Sequence, residues 1–205
     1  MPDFRGISGA LVGLKLRLEQ QLPLLASLGV TVNVRVLDSS SLNEDDLDDL
    51  PSNTLAIYLH RISVEPIGAG RTMPPPRRGL PRQVELPINL HLLLVAVNAL
   101  SDAEASIMGW AIQQIGTALD LDHTLLATAE PDAAWHPDDK LQVFPEPMNT
   151  EDLLRIWDGL PADYRLSTPY IIKNLRLLPA KYRESGPVVS DIEYRMAHKD
   201  LEEQA

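Results

Sequence analysis

One stretch of this chain constrains its fold more than any other: QVELPINLHLLLVAVNAL, from Gln83 to Leu100. From Leu92 onward, Leu93, Leu94, Val95, Ala96 and Val97 run together without a polar residue. A strand with apolar side chains on both faces must lie centrally in a sheet, covered on both sides. A second extended stretch precedes it, NTLAIYLHRISVEP from Asn53 to Pro66, with Leu55, Ile57, Leu59 and Ile62 as its apolar positions. A third, VTVNVRVLD from Val30 to Asp38, alternates cleanly. Val30, Val32, Val34 and Val36 share one face and Thr31, Asn33 and Arg35 the other, which predicts a strand with one buried face.

Helical spacing appears before, between and after these stretches. Ile7, Leu11, Leu14, Leu18, Leu22 and Leu25 recur at steps of three and four, which predicts an amphipathic first helix. Pro23 should bend or divide it and Gly29 should end it. Gly9 and Gly13 are expected only to lower its helix propensity. SSSLNEDDLDDLPS holds Glu44, Asp45, Asp46, Asp48 and Asp49. It lacks the glycine and terminal glutamate of a calcium loop and reads as a solvated acidic loop or short helix. SDAEASIMGWAIQQIGTAL (Ser101 to Leu119) predicts a helix whose stripe includes Ile107, Trp110, Ala111 and Ile115, with Trp110 as a core anchor.

Residues 120–140 read as a loop with at most a helical turn near Leu125. Leu141 to Phe144 is a short strand ended by Pro145 and Pro147. Asn149 or Thr150 caps a helix carrying Leu153, Leu154, Ile156 and Trp157. A last strand runs from about Tyr164 to Leu178. Pro169 lies inside it and lacks a ladder N–H, which predicts an edge or bulged strand whose open backbone a second chain could extend. Residues 1–179 are expected to form one α+β domain, with a mixed, mostly antiparallel sheet and helices packed against it. Residues 180–205 are expected to form a charged C-terminal arm or tail with a weak amphipathic pattern at Ile192, Met196 and Leu201.

Composition narrows the function. A net charge of −11 across 205 residues argues against general nucleic-acid binding, which needs a basic surface. The chain has no cysteine, so disulfides and thiolate metal sites are excluded. The N-terminus MPDFRGISGALVGLKL is a poor signal peptide, and no apolar run reaches the length of a membrane span. His60 and His91 fall on predicted strands that could bring them together, but no HExxH or other zinc spacing accompanies them. No G-x-S-x-G elbow or phosphate-binding glycine loop is present. Glu146, in a proline turn, and Glu151, in a helix's first turn, make a weak carboxylate pair. The expectation is therefore no catalytic residue, no metal site and no cofactor.

One basic segment stands out. IGAGRTMPPPRRGLPR (Ile67 to Arg82) carries Arg71, Arg77, Arg78 and Arg82 with no opposing acid, and its prolines limit the entropy lost on ordering. Guanidinium groups pair carboxylates through two parallel bonds, so the loop suits an acidic neighbour. Arg165, Lys173 and Arg176 on the last strand complete the candidate partner-binding set.

In order along the chain, LPINLHLLLVA, MGWAIQQIG, FPEPMNTEDLLRIWDGL and YRLSTPYIIK, spanning about Leu11 to Leu178, resemble a known family. It is the cap, or tail-terminator, family of phage-tail-like extracellular contractile injection systems of the antifeeding-prophage and virulence-cassette type. The family pattern places an acid beside the central histidine of the second long strand, where this chain has Asn89. The resemblance implies a tail-terminator-like fold and a homo-oligomeric ring, a hexamer, at the baseplate-distal end. There it would bind the last sheath and inner-tube layers and end polymerisation. It also implies cytoplasmic assembly into a particle that is released or stays in the producing cell. Three other readings fit the residues: a baseplate or adaptor component, a small metal-dependent enzyme using His60 and His91, and a free-standing binding module using the arginine loop.

Overall fold

The long apolar stretch becomes an interior strand of a sheet in the computed structural model, which describes residues 2–23, 31–65, 86–99, 101–117 and 120–178. The strands are β1 (Asn33–Leu37), β2 (Thr54–Val64), β3 (Leu86–Val97), β4 (Asp120–Leu121), β5 (Leu141–Pro145) and β6 (Ser167–Leu177). They form one sheet in the order β1-β2-β3-β6-β5-β4. β1 and β2 are parallel, and every other pair is antiparallel. The helices are α1 (Gly6–Glu19), α2 (Glu44–Asp48), α3 (Ser101–Thr117), α4 (His123–Ala129) and α5 (Thr150–Asp158), with a 3-10 turn at Pro131–Ala133. The architecture is α+β, as the sequence predicts. Among the described residues no helix is long and apolar enough to cross a membrane.

β3 divides the core as its sequence requires. Ile88, Leu90, Leu92, Leu94 and Ala96 join a cluster with Leu14 and Leu18 of α1, Ile107, Trp110 and Ile115 of α3, and Leu125 and Leu126 of α4. Leu93, Val95 and Val97 face the other way, into a smaller cluster with Leu42, Leu47, Trp157 and Ala162 around α2 and α5. Asn43 and Asn149 cap α2 and α5, their side chains accepting the Asp46 and Asp152 amides at 2.9 and 2.7 Å.

Four expectations change. The predicted division of the first helix falls before Pro23 rather than at it: α1 ends at Glu19 and helical residues resume at 22–23. Glu19 is four residues before Pro23, whose ring would clash with its carbonyl. Leu25 and Gly29 lie outside the described residues. Gly9 and Gly13 are buried contacts, not mere weak points: a Cβ on Gly9 would stand 2.9 Å from both Glu130 Cβ and Trp135 Cζ2, and one on Gly13 would stand 3.3 Å from Leu126 Cδ2. Residues 120–140 are more regular than a loop. Leu121, Leu125, Leu126, Ala133 and Trp135 are buried, and this apolar set anchors β4, α4 and the 3-10 turn.

The fourth change concerns β6, which is not an edge strand. It lies between β3 and β5. Pro169 is tolerated because its carbonyl, accepting the Glu146 amide at 3.0 Å, points to the β5 side just past the last β5 pair, Pro145 with Tyr170. The missing N–H points the same way, so the β3 ladder loses nothing. The predicted bulge is present, but lies further on: Lys173 and Asn174 together oppose Asn89, between the pairs Leu90–Ile172 and Ile88–Leu175. Asn174 takes the left-handed conformation at φ 70°.

Candidate functional site

Two bulges flank His91, on the two strands that pair with β3. On the β6 side the bulge is at Lys173 and Asn174. On the β2 side the register passes from Leu59–Leu92 to Arg61–His91, so His60 is the extra residue. That insertion changes the parity of β2. Leu55, Ile57 and Leu59 face the larger core, while beyond the bulge Arg61 and Ser63 turn to the face that carries His91.

A hydrogen-bonded line results. His91 Nδ1 lies 2.7 Å from Glu146 Oε1, and His91 Nε2 lies 2.8 Å from Ser63 Oγ. Arg61 donates to the same Glu146 oxygen at 3.1 Å and stands 3.0 Å from His91 Nδ1. His91 and Glu146 are nearly buried, with side-chain exposures of 7% and 12%, whereas Arg61 is 58% exposed. The Glu146 carboxylate beside Nδ1 makes that nitrogen the donor, so the Arg61 guanidinium, which can only donate, bonds Glu146 and not Nδ1. In the neutral ring Nε2 is then left to accept the Ser63 hydroxyl proton.

The expected meeting of His60 and His91 occurs, edge to face, with ring centroids 6.1 Å apart. Burial lowers the His60 pKa, with Glu146 opposing the shift. Its Nε2 has no hydrogen-bond partner. Among the described residues no group of three or more His, Asp or Glu side chains is placed to hold a metal ion.

Glu146 does not pair with Glu151, which bonds Arg155 one turn away on α5. The acid at the central histidine is thus Glu146, from the Pro-Glu-Pro turn, while Asn89 donates to Glu65 at 3.2 Å. Ser63 was missing from the sequence-derived candidates, and Glu146 was weighed there only as a partner of Glu151. The Pro145–Glu146–Pro147 sequence and the break in β2 periodicity after Leu59 are the signals that could have found them.

The predicted partner-binding cations separate. Arg165 is held within the chain by Glu44 and, at 3.9 Å, Asp48. Lys173 is exposed, with its ammonium 5.8 Å from the centre of the Phe144 ring. Arg176 lines a polar cleft of about 360 Å³ with Trp135, Asp138, Asp139 and Asn174. Arg71, Arg77, Arg78 and Arg82, and the tail from residue 179, lie outside the described residues.

A family model described as the Pvc16 N-terminal domain matches residues 12–191. No curated protein matches the chain. It is similar in structure to the PVC sheath/tube terminator of an extracellular contractile injection system in the extended state, at 14% identity and a TM-score of 0.48, covering 92% of this chain and 65% of that one. It is also similar to the anti-feeding prophage cap, a tube terminating cap, at 12% identity and a TM-score of 0.44, covering 70% of this chain and 49% of that one. The chain thus spans just under two thirds of the first protein and about half of the second.

Proposed function

The chain belongs to the Pvc16 N-terminal domain family, and on that premise we propose that it is a structural cap, or tail terminator, of a contractile injection system. The family match over residues 12–191 carries this reading, because it takes in the whole sheet and the second half of α1. In the finer form of the proposal, copies assemble in the cytoplasm into a six-membered ring at the baseplate-distal end. The ring binds the last sheath and inner-tube layers and stops both from growing.

The edges of the sheet support a terminating role. β1 is five residues long and has an exposed Arg35, β4 has two residues, and β5 ends in Pro145. Short, charged or proline-bearing edges such as these do not propagate a sheet; among the described residues the flank of β2 beyond Tyr58 is the exception. For an acidic chain stacking on neighbours, the arginines of residues 67–82 are the proposed contacts. The test is particle length by negative-stain electron microscopy, with and without this chain. Overlong, ragged or uncapped tubes in its absence are expected. Contractile particles of unchanged length would overturn the proposal.

A further inference from the structure

We propose that Ser63, His91 and Glu146 form an acyl-transfer site, with Ser63 as a nucleophile toward the carbonyl of an ester or peptide lying along the flank of β2 that no described strand covers. The 2.8 Å and 2.7 Å contacts join hydroxyl, imidazole and carboxylate through opposite ring nitrogens. This is the arrangement by which a base withdraws a serine proton while a third group fixes its tautomer. The burial pattern agrees: His91 is 5% exposed and Ser63 is half-buried, so the base is shielded and the nucleophile is within reach of solvent.

The flank supplies the rest. β1 pairs β2 only as far as Tyr58, so from Leu59 onward no described strand covers the outer side of β2. Glu65 donates its amide to Pro87 across the β3 ladder at 3.0 Å. By alternation the amides of Ser63 and Arg61 point the same way, and those of Ile62 and Val64 point outward. These two outward donors bracket the nucleophile. An extended substrate could add to them as a strand does, with its carbonyl oxygen held beside Ser63. Ile62 and Val64 are 45% and 54% exposed, an apolar rim for such a segment.

In the first step Ser63 Oγ bonds to the carbonyl carbon and its proton passes to His91 Nε2. His91 returns that proton to the departing alcohol or amine as the acyl–oxygen or acyl–nitrogen bond breaks. Water then releases the acyl group by the same path in reverse. Glu146 positions His91 and does not touch substrate. The chemistry stands apart from the terminator reading, because the isolated chain should show it whether or not particles need the protein.

The test is reaction of the purified full chain with an alkyl fluorophosphonate, followed by intact mass and site mapping. The Ser63 oxygen–phosphorus bond forms and fluoride leaves. One equivalent on Ser63 is expected, absent in Ser63→Ala and slowed about 100-fold in His91→Gln. Glu146→Gln should slow labelling and shift its pH profile, with partial rescue by Glu146→Asp, which a purely structural role would not produce. Where His91→Gln fails to fold, Ser63→Cys keeps the question open to measurement. Its thiol should alkylate with iodoacetamide at pH 6.5 about tenfold faster than that of Ser52→Cys at an exposed site. Labelling of Ser63 no faster than the other serines, a rate indifferent to His91, or equal thiol reactivity at 63 and 52 would each overturn the proposal.

Discussion

Replacing Gly9 by alanine should destabilise the protein, although alanine is the better helix former. The reason is the approach of α1 to α4 and the segment after it. The new Cβ would sit 2.9 Å from Glu130 Cβ and 2.9 Å from Trp135 Cζ2, against a comfortable carbon–carbon separation of about 3.5–4.0 Å. Neither neighbour can retreat easily. Glu130 is tied by its amide to Leu126 O at 3.0 Å, and Trp135 by its indole N–H to Glu130 O at 3.1 Å. Overpacking of this kind costs about 1–3 kcal/mol, and the better helix propensity returns about 1 kcal/mol. Gly109 on α3 is the internal control, exposed and with nothing within 4 Å of its Cβ position. Gly109→Ala should gain the propensity term of about 1 kcal/mol in full. The two variants should therefore differ by about 2 kcal/mol, which at a urea m-value of about 2 kcal/mol/M separates their midpoints by about 1 M. Equilibrium urea unfolding followed by far-UV circular dichroism reads this directly. If Gly9→Ala raised the midpoint as Gly109→Ala does, the close approach would be refuted.

Asn98 has φ 49° and donates its side-chain amide to the carbonyls of Leu47, Asp48 and Leu50, closing the end of α2 onto β3. Asn98→Ala should cost about 2–3 kcal/mol in urea unfolding, from lost hydrogen bonds plus left-handed strain. Asn98→Gly should recover only the strain. Because burial holds the His60 pKa below the ordinary histidine value of about 6.5, the unfolded chain takes up that proton first. Its contribution is fully present above about pH 6.5 and is lost as pH falls through that value towards the lowered one. The drop in urea midpoint between pH 7.5 and 5.5 should shrink in His60→Gln, and an unchanged drop would refute the assignment. Arg165→Gln should lower stability by about 1 kcal/mol or less, since its ion pair with Glu44 is partly exposed. The paired reversal Arg77→Glu and Arg78→Glu should weaken retention on sheathed tubes in a sedimentation assay, and unchanged retention would refute the arginine contacts.

What the sequence disclosed depended on whether the responsible interaction was local. The central place of β3 was legible because an unbroken apolar run from Leu92 to Val97 has only one solution in a sheet. The cap Asn149 was legible, with Thr150 as its alternative, because a cap bonds an amide three residues away. Strand order was not, since pairing between β6 and β5 depends on the whole topology. Proline at 169 gave the wrong answer for that reason. An edge is one way to tolerate a missing N–H, and a partner strand that stops one residue earlier is another. The site lay between these cases. The apolar spacing of β2 steps by two through Leu55, Ile57 and Leu59 and then by three to Ile62, and on β6 it steps by two from Tyr170 to Ile172 and then by three to Leu175. Each irregular step marks a bulge, and the two bulges stand on either side of His91. Periodicity can therefore show where a sheet face is re-aimed, while the acid that meets the histidine, Glu146 from a turn 55 residues away, becomes visible only once the strands are paired.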